Sequence, residues 1–452
     1  MLTYELKKSP GVPLYEALYR CIRGDILSGK LAAGEKLPSK RALAAHLEIS
    51  LITVETAYSQ LAAEGYINPK EKVGYFVEAV DAVAPVLPES PAPVAREQRK
   101  ALDLTANVPA QFPFSVWSRL QREVLLDFGH QLLDPIDHQG IRELRQAIAR
   151  HLAGFRGMQV DPENIIIGAG TDFLYNLLVQ LLGRERVYGL EQPGYGKIRR
   201  IYQAAGTKMV AVPMDEMGVR PDRLDNAEIL HISPSHHFPT GIITPPKRRR
   251  ELLAWAAAGE RWIIEDDYDS EFRFDAHPMA AMYSPEESGR VIYINSFSKS
   301  LAPSIRIGYM VLPPALMARF RRELGFYGCT VSAFEQHTLA RFLSHGHFEQ
   351  HINRMRKFYR VRRNKLLDIL QNCGWADRLT IEEEDAGLHF IVCVDTDMTD
   401  VALVEFCQKL GLQVRCLSEY YGGAAARDLH RIVVNYSGLD DEDLNTLAKI
   451  LG

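Results

Sequence analysis

Cysteine is scarce and unpatterned. Six cysteines (Cys21, Cys329, Cys373, Cys393, Cys407 and Cys416) are scattered through 452 residues with no Cys-x-x-Cys pair. That gives neither a zinc ribbon nor a disulfide framework, and buried thiols in a reducing compartment are expected. Long apolar runs are missing too: nothing approaches the roughly 20 residues of a membrane span, and the opening MLTYELKKSP lacks the apolar core of a secretory signal. A cytoplasmic protein is expected. Charge of one sign is also lacking. With 53 Lys and Arg against 57 Asp and Glu, the net charge is -4, so any attraction to nucleic acid has to come from a local face. What the chain has is length. It exceeds one compact core, and domains of about 100 to 200 residues imply two or three.

Apolar residues at helical spacing (Leu14, Leu18, Cys21, Ile22, Ile26) predict a first helix from Pro13 to Leu27, with Gly29 as its stop. Ser39 is placed to cap a second helix through Leu47, and Ile49-Ser50 turns into a third, Leu51 to Glu64, ended by Gly65. Tyr66-Ile67 followed by PKEKVGYFV reads as a hairpin with a Lys-rich tip and Gly74 near its turn. The order is that of a winged helix-turn-helix over residues 1–80, whose helix pair puts its second member in the major groove. LPSKRALAAHLEIS and TVETAYSQLAAEGYI resemble the GntR-type bacterial regulators over essentially this whole segment. The resemblance implies double-stranded DNA as a partner, with Ser39, Arg41 and Thr53 facing it. Leu51 stands where the family usually has an arginine, and residues 1–80 hold ten Lys/Arg against nine Asp/Glu.

From about residue 81 to 100 the composition shifts to Ala, Val and Pro, without amphipathic period, and prolines at 85, 88, 91 and 93 predict an extended linker of about 3 Å per residue. Beyond it, apolar strands alternate with helical segments, the pattern of an α/β domain with a mainly parallel sheet. Ile165 to Ile167 is a strand, GAGTD (Gly168 to Asp172) a loop and Phe173 to Leu182 a helix; a glycine-rich turn opening a helix is an anion site. Tyr195 follows a Pro-Gly turn at a strand end, where an aromatic side chain can stack on a planar ring. His236 and His237 are adjacent and point apart, with no third ligand at a usual spacing, so no metal site is expected.

The strand Arg261 to Ile264 enters EDDYDSE, five carboxylates in seven residues. A magnesium or calcium site and a solvated acidic loop are two readings. Strand alternation gives a third, with Asp266 and Tyr268 on one face and Glu265 and Asp267 on the other. The apolar run Val291 to Ile294 leads into SFSKSLAPSIRIGY (Ser296 to Tyr309), which puts Lys299 where a sheet edge meets a loop. An amine in an apolar cleft loses its charge more easily and can condense with an aldehyde. Ser296, Ser298 and Arg306 around it supply the hydroxyls and the fixed cation that a phosphate dianion needs, which suggests pyridoxal 5'-phosphate (PLP).

Taken in order, GAGTD, PGY, HFPTG, DDY, SFSK and Arg306 resemble the fold-type I, aspartate-aminotransferase-like PLP proteins over residues 101–452. The resemblance implies Lys299 as the Schiff-base lysine, Asp266 on the pyridine nitrogen, Tyr268 on the ring oxygen, Tyr195 stacked on the ring, and Gly170, Thr171, Ser296, Ser298 and Arg306 around the phosphate. It implies a large domain over 101–329, a smaller C-terminal α+β domain over 330–452, and a homodimer. Arg431, in HRIVVNYSG, matches the position that holds the substrate carboxylate; pairing with Asp440 or Asp441 is its structural alternative. Phe238 replaces the asparagine of the usual Asn-Pro-Thr-Gly, removing one hydrogen bond to the ring oxygen. Along its full length the chain resembles the MocR/GabR-type transcriptional regulators. That resemblance implies a head-to-tail dimer in which the PLP domain senses an amino compound, or PLP itself, through a change between internal and external aldimine. A working aminotransferase with an accessory head is the alternative.

Overall fold

The computed structural model describes the chain apart from residues 1, 5–12, 71–72, 80–100, 107–110, 225, 274–279, 285–288, 383–386 and 423–426. The chain divides into two compact units, Met1–Gln98 and Arg99–Gly452. The linker expected over residues 81–100 lies outside the described residues.

The first unit contains α1 (Leu14–Leu27), α2 (Lys40–His46), α3 (Leu51–Ala63) and a hairpin of β1 (Ile67–Lys70) and β2 (Gly74–Val77). Ser39 and Ser50 cap the helix pair by accepting the backbone N–H of Ala42 and Thr53, as their short side chains favour. Leu18, Ile22, Leu43, Val54, Tyr58 and Leu61 close one apolar core. That core fixes the angle between the two helices of the turn, while Ser39, Arg41, Leu51 and Ile52 stay exposed.

The second unit is built on an eight-stranded sheet. Its strands are β3 (Ile165–Gly168), β4 (Val187–Gln192), β5 (Lys208–Asp215), β6 (Gly218–Val219), β7 (Ile229–Ile232), β8 (Trp262–Asp266), β9 (Val291–Ser296) and β10 (Gly308–Val311), in the spatial order β3-β10-β9-β8-β7-β4-β5-β6. The pairs β9–β8, β8–β7, β7–β4 and β4–β5 are parallel, whereas β10 runs antiparallel to both of its neighbours. Every residue of β9 is buried. Alternation sends Val291 and Tyr293 into one apolar cluster and Ile292 and Ile294 into the other, the mark of a sheet covered on both faces. A second sheet follows, β11 (Leu379–Glu382), β12 (His389–Val394) and β13 (Arg431–Asn435), antiparallel in that order.

The acidic run after β8 is neither solvated nor open: Glu265, Asp266, Asp267, Asp269 and Glu271 are all buried. Alternation divides it as the third sequence reading expected. On one face Glu265 accepts the N–H of Met282 and of Tyr283, at 2.9 and 3.1 Å. On the same face Asp267 accepts the Tyr293 hydroxyl at 2.6 Å and pairs with the buried Arg156 at 3.2 Å. The other face belongs to the cavity described below. Removing one partner of a buried pair strands the other charge, so Asp267→Ala should cost about 3–5 kcal/mol in denaturant unfolding followed by tryptophan fluorescence. All four tryptophans (Trp117, Trp255, Trp262, Trp375) lie in this unit.

Candidate functional site

In a sheet with several parallel strands, the carboxyl ends come together and leave a crevice for a ligand. Here β4, β7, β8 and β9 deliver Tyr195, Ser233, Asp266 and Lys299 to one cavity of about 520 Å³. Thr171, Tyr195, Asp266, Tyr268, Ser296, Ser298, Lys299 and Arg306 all line it.

Gly170 stands behind this wall. Its φ is +82°, and a Cβ there would lie 2.6 Å from Arg306 Nη2, so glycine is required both for the left-handed backbone and for the approach of the guanidinium. Gly170 caps the helix Thr171–Leu182, which we call α4. In its first turn Asp172 accepts Lys197 Nζ at 2.7 Å and Arg306 Nη2 at 3.3 Å. One turn on, the buried Tyr175 hydroxyl donates to Asp266 Oδ2 at 2.5 Å. His231 Nε2 lies 3.3 Å from the same oxygen, and the Tyr202 hydroxyl is 2.8 Å from His231 Nδ1. An ionised carboxylate only accepts, so Nε2 carries the proton and Nδ1 receives the tyrosine's. Among the described residues Asp266 Oδ1, equally buried, has no hydrogen-bond partner. An orphaned carboxylate oxygen beside a cavity calls for a donor from a ligand, and the N–H of a pyridinium fits that need.

Lys299 is half-buried at the end of this wall. Burial pushes its amine down to about 8, with Asp269 opposing and Lys197 adding to the shift. Nearby, Glu191 is pushed up to about 8 by burial and His237 down to about 3 by burial and by His236. Their 3.4 Å contact is therefore that of two neutral groups at neutral pH. Phe238 packs edge-on against Tyr195 at 5.6 Å and against Tyr420 at 5.3 Å, an apolar wall where the sequence lacks the usual amide.

The structure does not bring Arg431 to this cavity. It pairs with Glu382 at 3.2 Å on the surface, not with Asp440 or Asp441. Asn435, at the other end of β13, is the residue that lines the cavity, and four residues at about 3.3 Å each put Arg431 about 13 Å further along the strand. Several groups escape sequence reasoning. Tyr175 is legible afterwards as the residue one helical turn beyond Thr171, but His389 and Arg415, which also line the cavity, come from segments with no local signal. The same holds for the cluster of His236, Asp269 and His389, whose donor atoms lie within 4.8 Å of one another. Sequence spacing could not join these three. His236 Nδ1 is 2.9 Å from Asp269 and 3.2 Å from the Tyr268 hydroxyl, which ties Tyr268 to this wall.

In the first unit Ser39 and Arg41 are exposed and Thr53 is half-buried, its hydroxyl 2.8 Å from Ser50 Oγ. Leu51 and Ile52 are exposed at the start of α3. Glu55, whose charge would oppose DNA there, is paired with Lys40 at 2.7 Å.

Residues 99–451 match the family described as aminotransferase class I and II, and residues 14–77 match the bacterial regulatory proteins of the gntR family. Among curated relatives, the "probable rhizopine catabolism regulatory protein MocR" of Rhizobium meliloti is 32% identical over 97% of this chain and 93% of its own. The chain belongs to the MocR-type HTH transcriptional regulators. The HTH-type regulator YdeL of Bacillus subtilis is 38% identical to this regulator over 93% of the chain and 92% of its own length. The pyridoxine biosynthesis regulator PdxR of Corynebacterium glutamicum is 33% identical over 95% and 93%. The fold of the second unit is also that of solved aminotransferases: the Pyrococcus horikoshii kynurenine aminotransferase aligns at a TM-score of 0.68 and 22% identity, over 78% of the regulator and 91% of that chain.

An exposed ion pair such as Arg431–Glu382 contributes about 0–1 kcal/mol. Arg431→Ala should therefore leave both the stability and the ligand responses of the regulator nearly unchanged, as thermal unfolding and absorbance titration with amino acids would measure.

Proposed function

We propose that this regulator holds PLP on Lys299 and couples occupancy of that site to the affinity of its winged helix for an operator. The observation that carries this reading is Asp266, whose buried Oδ1 lacks a partner among the described residues and which lines the same cavity as the low-pKa amine of Lys299. Bound there, PLP supplies an aldehyde for the lysine and an electron-withdrawing ring. Asp266 would hold the proton of the ring nitrogen, with Tyr175 and His231 fixing the carboxylate. Tyr195 would cover the ring, and Tyr268, positioned by His236, would reach the ring oxygen. Thr171, Ser296, Ser298 and Arg306, with the backbone at Gly170, would take the phosphate.

Ser39, Arg41 and Thr53 would meet DNA, Arg41 through phosphate or base edge, and Leu51 only through an apolar contact such as a thymine methyl. A homodimer is part of the reading, since it presents two heads to two half-sites. It is supported by Phe114, Leu126, Leu133 and Phe326, large apolar side chains each more than two-thirds exposed. A ligand shifts DNA binding only if it binds two conformations with different affinity, so an amino compound, or the cofactor itself, has to contact what moves. Phe238, in place of an amide donor, supports sensing over turnover, because one hydrogen bond that tunes the ring is gone.

Two outcomes follow. Only the neutral amine attacks an aldehyde, and Lys299 is neutral above about 8. The rate at which added PLP develops visible absorbance should therefore rise from pH 7 to 9 and level off beyond, and Lys299→Ala should abolish the absorbance. In mobility shifts on the DNA upstream of its own gene, Arg41→Ala should weaken binding by roughly 1–3 kcal/mol, and unchanged affinity at physiological salt would remove Arg41 from the interface.

A further inference from the structure

Two guanidinium groups in the cavity have no carboxylate partner among the described residues. Arg199, in the helix Gly196–Ala204, and Arg415 both line it. Among the described residues neither is in ion-pair contact with a carboxylate, whereas Lys197 and Arg306 share Asp172. Lone guanidinium groups facing a partly enclosed space are receptors for an anion, because their planar forks donate two parallel hydrogen bonds to one carboxylate, sulfonate or phosphate.

The backbone that carries Arg415 is fixed. Its carbonyl accepts the N–H of Val433 at 3.0 Å, the next residue, Cys416, bridges to Ile432, and the Cys416 N–H is accepted by Glu419 Oε1 at 3.0 Å. Arg415 thus sits beside the middle of β13. Its side chain is exposed, and its polar neighbour is the hydroxyl of Tyr420, a neutral group. Tyr420 in turn rests on Phe238, so the guanidinium borders the apolar wall of the cavity. Arg199 borders the same segment: a Cβ on Gly422 would overlap its guanidinium, so glycine is what lets the chain after Tyr420 lie against it.

We propose that Arg415, with Arg199 beside the same segment, is the recognition site for the anionic group of the effector, which is therefore a primary amine bearing a carboxylate, sulfonate or phosphate. The amine is directed to Lys299 and the anion to Arg415. This rests on the reading of Lys299 as the cofactor lysine. An amino acid and an aminated, phosphorylated form of the cofactor share this chemistry, and they are told apart by titration.

The test uses the full chain loaded with PLP. Its visible absorbance is followed against glutamate, taurine, ethylamine and pyridoxamine 5'-phosphate, with calorimetry as a second readout, in wild type and in Arg415→Gln. Arg415 is exposed, so the variant should fold, and cofactor absorbance equal to that of wild type confirms that the site is intact. The expected result is that Arg415→Gln lowers affinity for glutamate or taurine by about 10- to 100-fold and leaves ethylamine unchanged, with Arg415→Lys in between for want of the fork. The same loss confined to pyridoxamine 5'-phosphate supports the site with phosphate as its anion. Equal affinities of wild type and Arg415→Gln for every anionic amine overturn the proposal while the cofactor reading stands. Failure of wild type to develop cofactor absorbance overturns both, and that outcome is visible before any effector is added.

Discussion

Five carboxylates within seven residues at the end of a central strand are buried, and this constraint shapes both faces of the large sheet. A buried carboxylate needs donors or a counter-charge. On one face Asp267 and Glu265 have them in Arg156, the Tyr293 hydroxyl and the backbone of Met282 and Tyr283. On the other, Asp266 has donors for one oxygen only. Among the described residues Asp267 Oδ1 and Glu271 Oε2 also lack a partner, but of these three carboxylates it is Asp266 that borders the cavity. The packing of the sheet and the chemistry of the site are thus two sides of a single alternating run.

That division was legible in the sequence because a strand has a period of two, so the two sides of EDDYDSE follow from position alone. The cavity-lining residues Tyr195, Asp266 and Lys299 were legible for a related reason: each follows an apolar run, and the carboxyl ends of parallel strands converge. Arg431 misled because it lies on β13, in an antiparallel sheet, where local pattern does not say which end of a strand faces the cavity. The far end does, through Asn435. His389 and Arg415 were silent for another reason. Each comes from a segment some ninety residues or more beyond Lys299 in sequence, and only the docking of the second sheet brings it to the wall.

The head shows how local geometry can offset what composition suggests. An acid at Glu55 and a leucine at Leu51 make α3 look ill-suited to DNA, and the overall balance of charge does not help. The Lys40–Glu55 pair ties the acid to α2, and Ser39 and Ser50 hold the two helix starts. The exposed surface that remains at the start of α3 is apolar, Leu51 and Ile52, with Arg41 on the neighbouring helix. If this face meets DNA as proposed, it would discriminate by methyl groups and groove shape more than by hydrogen bonds to guanine.

Asp172 has a consequence for how tightly the cavity can hold a phosphate. Its carboxylate engages both Lys197 and Arg306, so a phosphate entering that corner does not meet free cations. It meets cations with a tenant. On the proposed reading, binding there would be an exchange of one anion for another, with a net affinity set by the difference between two charge-assisted contacts. An enzyme that keeps its cofactor for life has little use for such a competitor. A receptor whose occupancy is meant to follow the surrounding concentration does, because an internal rival raises the rate of release and moves the half-saturation point upward, towards levels that a cell can vary.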